Sequence, residues 1–425
     1  MRLSRREFLA GAAAITAVSA LPAAALALEA SRPKYVILVD WDGFDPAYLG
    51  RVPTPNLDAL ASRGSLSLAD GTFHTLSNPS RASMSTGAYP EVHGNAAYFF
   101  NEETNRAVGQ TRSLAAETIN QALADGGKTT SSVQWYMVQN HGTAYGDPQH
   151  LYVQPGGPFA NRVGVAVDIL NLRPVNSGGQ MVTVPKVPDF MAVYGSDLDD
   201  LGHAEGAESP NIGPLLAELD RHLGRLIQAT VDVGIYGETA WILTSDHGMT
   251  TWSLTLLPDV YAAITAAGYK PEFVTPGDSP SPTTEVIIVP NAVRIGDFTL
   301  RWRVATPKGR ERVRAALEPL PQIARVFDKS ELGVLRVSDK LGGLVAEARE
   351  PWGFGLSDRG VLHGAHGSLQ EIKVPLVLAG AGVRTGVPPQ GAGLVDIAPT
   401  IAALLGTRQP AEAQGRALTE SLESP

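Results

Sequence analysis

The sequence predicts an α/β fold built on a mainly parallel sheet, and three observations carry that expectation. Apolar runs rich in β-branched residues alternate with amphipathic stretches, and the runs end in acids, serines and glycines. A length of 425 residues with 44% apolar content suffices for one large domain with an insertion, or for two domains. In such sheets ligands sit in the crevice at the carboxyl ends of the strands, so the residues that follow each run are the ones to read for chemistry.

The first element precedes the fold. "MRLSRREFLAGAAAITAVSALPAAALALEA" sets Arg5 and Arg6, with Phe8-Leu9, ahead of an Ala-rich run broken by Pro22, and ends in a small-x-small site at Ala25-Leu26-Ala27. It resembles a twin-arginine export signal, which predicts removal of residues 1–27, handling by the twin-arginine export machinery and a periplasmic or secreted mature protein. No later stretch approaches the ~20 apolar residues of a spanning helix, so the mature form is expected to lie outside the membrane. The absence of cysteine excludes disulfides and thiolate zinc sites.

"KYVILVDWDG" then reads as a buried parallel strand, and "TPNLDALASRG" as a helix that opens near a proline and stops at Gly64. "SLAAETINQALADGG" is a helix before the strand "KTTSSVQWYMV", and "IGPLLAELDRHLGRLIQATVDVG" a long amphipathic helix before "TAWILTSDHG". "VPLVLAGAG" and "LVDIAPTIAALLG" supply the last strand and helix. Between them the pattern changes. Pro-rich "TPGDSPSPTTE", the run "VIIVPNAVRIGDFTLRWRV", the charged helix "PKGRERVRAALEPL" and "IARVFDKS" predict a small α+β insertion over 256–350. It reads as a cap, with an elaborated sheet edge as the alternative. A catalytic domain over 33–255 and 351–410 surrounds it.

A net charge of -9 gives no electrostatic footprint for duplex nucleic acid. A small phosphorylated substrate is compatible with it, because bound metal ions supply positive charge that the formal count omits. The oligomeric state is not legible.

The chemistry-bearing residues sit at the predicted strand ends. Asp42 closes "DWDG", Asp199 and His203 form Asp-x-x-Gly-His, Asp246 and His247 lie in "TSDHGM", and "HGAHGS" offers His363 and His366. Each is weak alone; together these carboxylates and imidazoles are the donors that suit zinc, enough for two adjacent sites. "SNPSRASMSTGAYPEVHG" adds Ser77, with Pro79 suited to the first turn of a helix running to Thr86, so that backbone N–H groups near Ser77 can face a phosphoryl oxygen.

In this order the motifs resemble the type I phosphodiesterase and nucleotide pyrophosphatase branch of the alkaline phosphatase superfamily, from about Lys34 to Gly406 outside the insertion. The resemblance implies an alkaline-phosphatase-like three-layer sandwich with a mainly parallel sheet and a hydrolase with two Zn2+. Asp199, His203 and His366 would hold one ion, and Asp42, Ser77, Asp246 and His247 the other. Serine-type sulfatases share the nucleophile spacing but resemble a one-metal design with oxygen ligands. Three histidines fit zinc and not calcium, so Ser77 reads as an unmodified nucleophile and not as a formylglycine precursor.

Two positions depart from the family, which usually has Thr as nucleophile and commonly Asn three residues later. Here those positions are Ser77 and Ser80, and Ser80 is followed by Arg81. Both Ser80 and Arg81 are expected to contact substrate. Arg81 would clamp a phosphoryl oxygen and favour a monoester or phosphonate, or else lie outward in a surface salt bridge. His93 reads as structural, His366 is preferred to His363, and His74, His141, His150 and His222 are assigned to surface or loops. The functional expectation is a phosphodiesterase or nucleotide pyrophosphatase acting through a phosphoseryl intermediate. A phosphomonoesterase or phosphonoacetate-hydrolase-like enzyme, a serine-type sulfatase and a non-catalytic phosphoryl-ligand binder are the alternatives.

Overall fold

The computed structural model describes residues 32–356 and 360–424, so the export signal expected over 1–27 lies outside the described residues. Tyr35–Trp41 takes the centre of a seven-stranded sheet because it is apolar on both faces. Ile37, Val39 and Trp41 pack to one side, and Val36 and Leu38 to the other.

Across the sheet the strands run Gly64–Asp70, Lys373–Gly380, Thr239–Thr244, Tyr35–Trp41, Phe190–Gly195, Thr130–Val133 and His150–Val153. Lys373–Gly380 is antiparallel to both neighbours and every other pairing is parallel, so all strands but that one point the same way. Helices Pro55–Ser62, Phe159–Leu170 and Ile212–Asp232 cover one face; Ser77–Thr86, Ile119–Asp125 and Ile397–Leu405 cover the other. The result is the three-layer α/β sandwich that the sequence predicts.

Local chemistry sets the boundaries. Thr118 and Gln121 form a reciprocal cap, which starts the helix at Ile119 and leaves "SLAAE" outside it. The strand read over "KTTSSVQWYMV" shrinks to Thr130–Val133, and Tyr136–Val138 turns into a short 3-10 helix. Phe159–Leu170 and Phe190–Gly195 were not anticipated, although Pro155-Gly156-Gly157-Pro158 leads into the first and Pro185 and Pro188 precede the second.

A second sheet, of five strands, lies between Pro271 and Ala348, in the order Pro271–Phe273, Val286–Asn291, Ile295–Leu300, Leu344–Ala348, Ile323–Asp328. Its residues alternate between two faces, apart from an irregularity between Ile323 and Arg325. Val286, Ile288, Phe298 and Leu344 pack on helices Leu257–Ala266 and Pro307–Leu317, while Ile287, Val289, Ile295 and Val345 face Phe73 and the hairpin Phe99–Asn101/Arg106–Val108 of the main body. Among the described residues no helix is long and apolar enough to cross a membrane.

Candidate active site and metal centre

The seven residues expected to bind metal come together at the carboxyl edge of the central sheet. Asp42 follows Tyr35–Trp41, and Asp246 and His247 follow Thr239–Thr244. Asp199 and His203 share one face of helix Asp197–Glu205, which follows Phe190–Gly195. His366 precedes its strand instead of following it. Because Lys373–Gly380 runs in reverse, its beginning lies where the other strands end, and His366 arrives at the same edge.

Two glycines make the convergence possible. Gly43 has φ +68 and lies so near helix Asp197–Glu205 that a Cβ would sit 3.0 Å from Asp199 Cα. A Cβ on Gly364 would fall 2.3 Å from the carbonyl oxygen of Gly202, so the late His motif and the Asp-x-x-Gly-His helix can touch only through glycine.

The three histidines share one arrangement. His203 Nδ1 lies 3.1 Å from Gly364 O, His247 Nδ1 2.9 Å from Gly248 O, and His366 Nδ1 2.7 Å from Thr75 O. A carbonyl can only accept, so each Nδ1 carries the proton and each Nε2 presents a lone pair. These lone pairs converge. His203 Nε2 and His366 Nε2 are 3.2 Å apart, and His247 Nε2 lies 3.2 Å from both Ser77 Oγ and Asp246 Oδ2. Asp199 Oδ1 stands 3.3 Å from His203 Nε2 and 3.7 Å from His366 Nε2. Asp199 also groups with Asp42 and His247, so it stands between the two sets.

One oxygen on each of Asp42 (Oδ1), Asp199 (Oδ1) and Asp246 (Oδ2) is buried without a hydrogen bond, although Arg81 stands 3.2 Å from that of Asp246. Burial drives the carboxyls of Asp199 and Asp246 well above the usual range. Burial opposes ionisation of Asp42 too, but Arg81, His247 and the Tyr194 hydroxyl at 2.6 Å outweigh it and hold its pKa below normal. Burial lowers His247 to about 4 and His366 well below its usual value, so both imidazoles are neutral at pH 7. Neutral imidazoles and orphaned carboxylate oxygens form a donor set that fits divalent metal.

Arg81 is not the phosphoryl clamp expected from the sequence, nor an outward helix residue. It is fully buried, with Nε 2.6 Å from Asp40 Oδ2, one terminal nitrogen 3.0 Å from Asp42 and 3.2 Å from Asp246, and the other 2.7 Å from Tyr136 Oη. Its helix lies between the sheet and other helices, so every residue from Ser77 to Thr86 is buried and no outward face exists. Ser80 is fully buried beside it, and its Oγ has no partner, so its expected contact to substrate has no exposed surface to act through.

Ser77 opens the helix. The intrahelical ladder begins at Ser80 N, bonded to Leu76 O at 2.9 Å, so the N–H groups of Ser77 and Asn78 precede it and face outward from the helix start. Because His247 Nε2 is the acceptor, the Ser77 hydroxyl donates to it. Asn78 Nδ2 donates to Thr111 O at 2.6 Å, and Thr111 lines a cavity of about 610 Å³ between the main body and the five-stranded sheet, with Phe99, Phe100, Arg310, Lys329 and Lys340.

Other histidines divide differently from expectation. His93 is structural, accepting from Asn95 N at Nδ1 and bonding Ser83 Oγ through Nε2. His363 lies against Trp252 and belongs to neither donor group. Of the histidines assigned to surface or loops, His74 lies in a loop but is fully buried, and His222 is buried on the packed side of helix Ile212–Asp232. Sequence reasoning also missed Asp40, Tyr136 and Tyr194. Asp40 was detectable, since it stands two residues before Asp42 and a strand repeats its side-chain direction every second residue.

With this geometry in hand, comparison with known proteins gives a consistent answer. The profile of the type I phosphodiesterase / nucleotide pyrophosphatase family matches residues 36–369. Ectonucleotide pyrophosphatase/phosphodiesterase family member 5 of Homo sapiens is 26% identical over 232 residues, 51% of this chain and 45% of that protein. Bis(5'-adenosyl)-triphosphatase ENPP4 of Bos taurus is 24% identical over 401 residues, 89% of this chain and 79% of that protein. The match thus spans about half the length of the first relative and most of the second. The solved structure of human ectonucleotide pyrophosphatase/phosphodiesterase 5 superposes with TM-score 0.71 at 20% identity, covering 92% of this chain and 100% of that one. An inactive murine form of it in complex with AMP gives 0.69 at 21%, covering 88% and 96%. At such identities the likeness establishes the fold.

Proposed function

The chain belongs to the type I phosphodiesterase / nucleotide pyrophosphatase family, and from that premise we propose that it is an exported two-zinc phosphoesterase cleaving phosphodiester or nucleotide pyrophosphate bonds with Ser77 as nucleophile. The observation that carries this reading is the convergence of three Nε2 lone pairs and three orphaned carboxylate oxygens beside Ser77 Oγ. Two lone pairs 3.2 Å apart repel unless a cation lies with them, and imidazole with carboxylate selects zinc over calcium. Asp199, His203 and His366 would hold one ion; Asp42, Ser77, Asp246 and His247 would hold the other. Bound there, the ions supply charge neutralisation at the phosphoryl group and acidify the serine hydroxyl.

The chain's own residues do the rest. Ser77 Oγ stands 3.2 Å from His247 Nε2, so the two donor atoms would face one ion, and the free N–H groups of Ser77 and Asn78 are available to phosphoryl oxygens. Attack forms the Ser77 Oγ–P bond as the bond to the leaving oxygen breaks, and water then hydrolyses the phosphoseryl ester. We place the leaving portion of the substrate in the 610 Å³ cavity, which adjoins the nucleophile helix through Thr111 and Asn78. A nucleotide-type substrate is supported by the relative named as a bis(5'-adenosyl)-triphosphatase and by the neighbour solved with AMP.

The burial of Arg81 bears on the alternatives. A phosphoryl clamp at that position argued for a monoester or phosphonate, and with its guanidinium turned to Asp40, Asp42 and Asp246 that argument falls away. The test is one preparation of the mature protein, analysed for metal and assayed on aryl phosphate, bis-aryl phosphate, a nucleotide aryl diester, phosphonoacetate and aryl sulfate. Two zinc equivalents with fastest turnover of the diesters are expected. One calcium with sulfate turnover would overturn the reading in favour of a sulfatase, and two metals with no turnover in favour of a binding protein.

A further inference from the structure

The insertion makes contacts at the metal centre that its place at the edge of the main body does not require. Val293, at the tip of the turn between Val286–Asn291 and Ile295–Leu300, forms a parallel β-bridge with His366 itself. The turn is bent sharply enough to reach it, with Ala292 at φ 46 and Val293 at φ 70, a region that non-glycine residues seldom occupy. From the neighbouring strand, Glu347 accepts from Leu369 N at 2.9 Å. Arg294, fully buried, stands 3.4 Å from Glu371 Oε1 through its Nε and donates to Trp352 O at 3.1 Å.

Glu371 is the hub of the loop that carries His366. Its Oε2 accepts from Ser368 N and Oγ at 2.9 and 2.6 Å, and its Oε1 accepts from Thr250 Oγ1 at 2.5 Å. Its backbone carbonyl accepts from Gly248 N at 2.8 Å, directly after His247. One buried carboxylate therefore joins the insertion, the His366 loop and the segment leaving His247. A charge buried this completely is retained in a fold only with its partner beside it, and breaking the pair leaves the carboxylate uncompensated at the base of the loop.

We propose that Arg294 and Glu371 are positioning residues for the metal held by Asp199, His203 and His366, so that the insertion is a fixed wall of the metal centre and not a freely moving cap. This rests on the two-zinc reading above. Partners one step removed from a metal commonly change its affinity by about 10–100-fold.

The test uses the full mature protein loaded with cobalt, read by visible absorption and by competition with a graded chelator. The spectral band lost in His203→Ala identifies the metal of that half. Arg294→Met and Glu371→Gln are expected to weaken that same band's metal by about 10–100-fold while the other metal keeps its affinity. Arg294→Lys should recover part of the loss and keeps the test open if Arg294→Met does not fold. Arg325→Met, at an exposed pair elsewhere in the insertion, should bind as wild type. Wild-type affinity in Arg294→Lys and Glu371→Gln, or equal weakening of both metals, overturns the inference alone. A wild-type protein that takes up no metal overturns the two-zinc reading and this inference with it.

Discussion

The two halves of the candidate metal centre differ in what surrounds them. Asp42, Asp246 and His247 are dry, with side chains at most 4% exposed, and a buried guanidinium already balances part of their charge. In the other half His203 alone opens to solvent, at 43%, with Asp199 at 14% and His366 at 4%, and among the described residues no arginine or lysine pairs with them. The contrast teaches a division of labour. Under the proposed function the dry half would hold Ser77 in one pose, and the half that His203 opens to water would be the side of exchange.

The sharpest way to break that comparison is at Ser77. If the dry half exists to aim a nucleophile, Ser77→Ala should reduce kcat by on the order of 10³-fold or more while metal content stays, since its three partner ligands remain. Loss of a helix-start residue alone would cost about 1 kcal/mol of stability and spare turnover. Protein acid-quenched during turnover of a diester should carry the phosphoryl group with its retained ester substituent on the Ser77 peptide, and the absence of that adduct would remove the serine from the mechanism.

Next in size is the internal cation. Arg81→Met strands Asp40, Asp42 and Asp246 together, and urea unfolding of the metal-free protein should show a loss of about 3–5 kcal/mol. Arg173→Met, at the solvated pair with Asp168, should cost at most about 1 kcal/mol. Similar losses in both would mean that the dry half is not specially organised.

The open half should release its metal first. With a limiting chelator, one equivalent is expected to leave well before the second, and His203→Ala should weaken that first equivalent by about 100-fold or more without moving the other. Simultaneous loss of both would erase the distinction between the halves.

The smallest effect sharpens the background against which acid loss of metal is read. His93 is held neutral by burial, its pKa pushed down to about 3 from 6.5. As pH falls below 6.5 the unfolded chain gains a proton that the folded one refuses, so stability declines by about 1.4 kcal/mol per pH unit until the folded pKa is reached. His93→Gln should flatten that part of the slope in unfolding midpoints measured from pH 7 to 5.

What the sequence made legible follows from geometry. Asp42, Asp246 and His247 were readable because each closes an apolar run, and a parallel sheet gathers such ends at one edge. Asp199 and His203 were readable because four residues make one helical turn. Arg81 was misread because helix phase says which residues share a face but not whether a second layer covers it; Ser77–Thr86 is buried all round. Asp40 went unread although the period of two places it on the side of Arg81. The network through Glu371 joins segments that no local pattern connects.

The reversed strand has a consequence in time. His366 bonds Thr75 across 291 residues of sequence, and Lys373–Gly380 wedges between two strands that lie far earlier in the chain. Contacts that close so long a loop form late, after local structure has already settled. A chain still emerging from the ribosome can therefore shape Ser77, Asp42 and Asp246 long before it can complete the centre. Under the two-metal reading, the set that His366 completes would be the last to form.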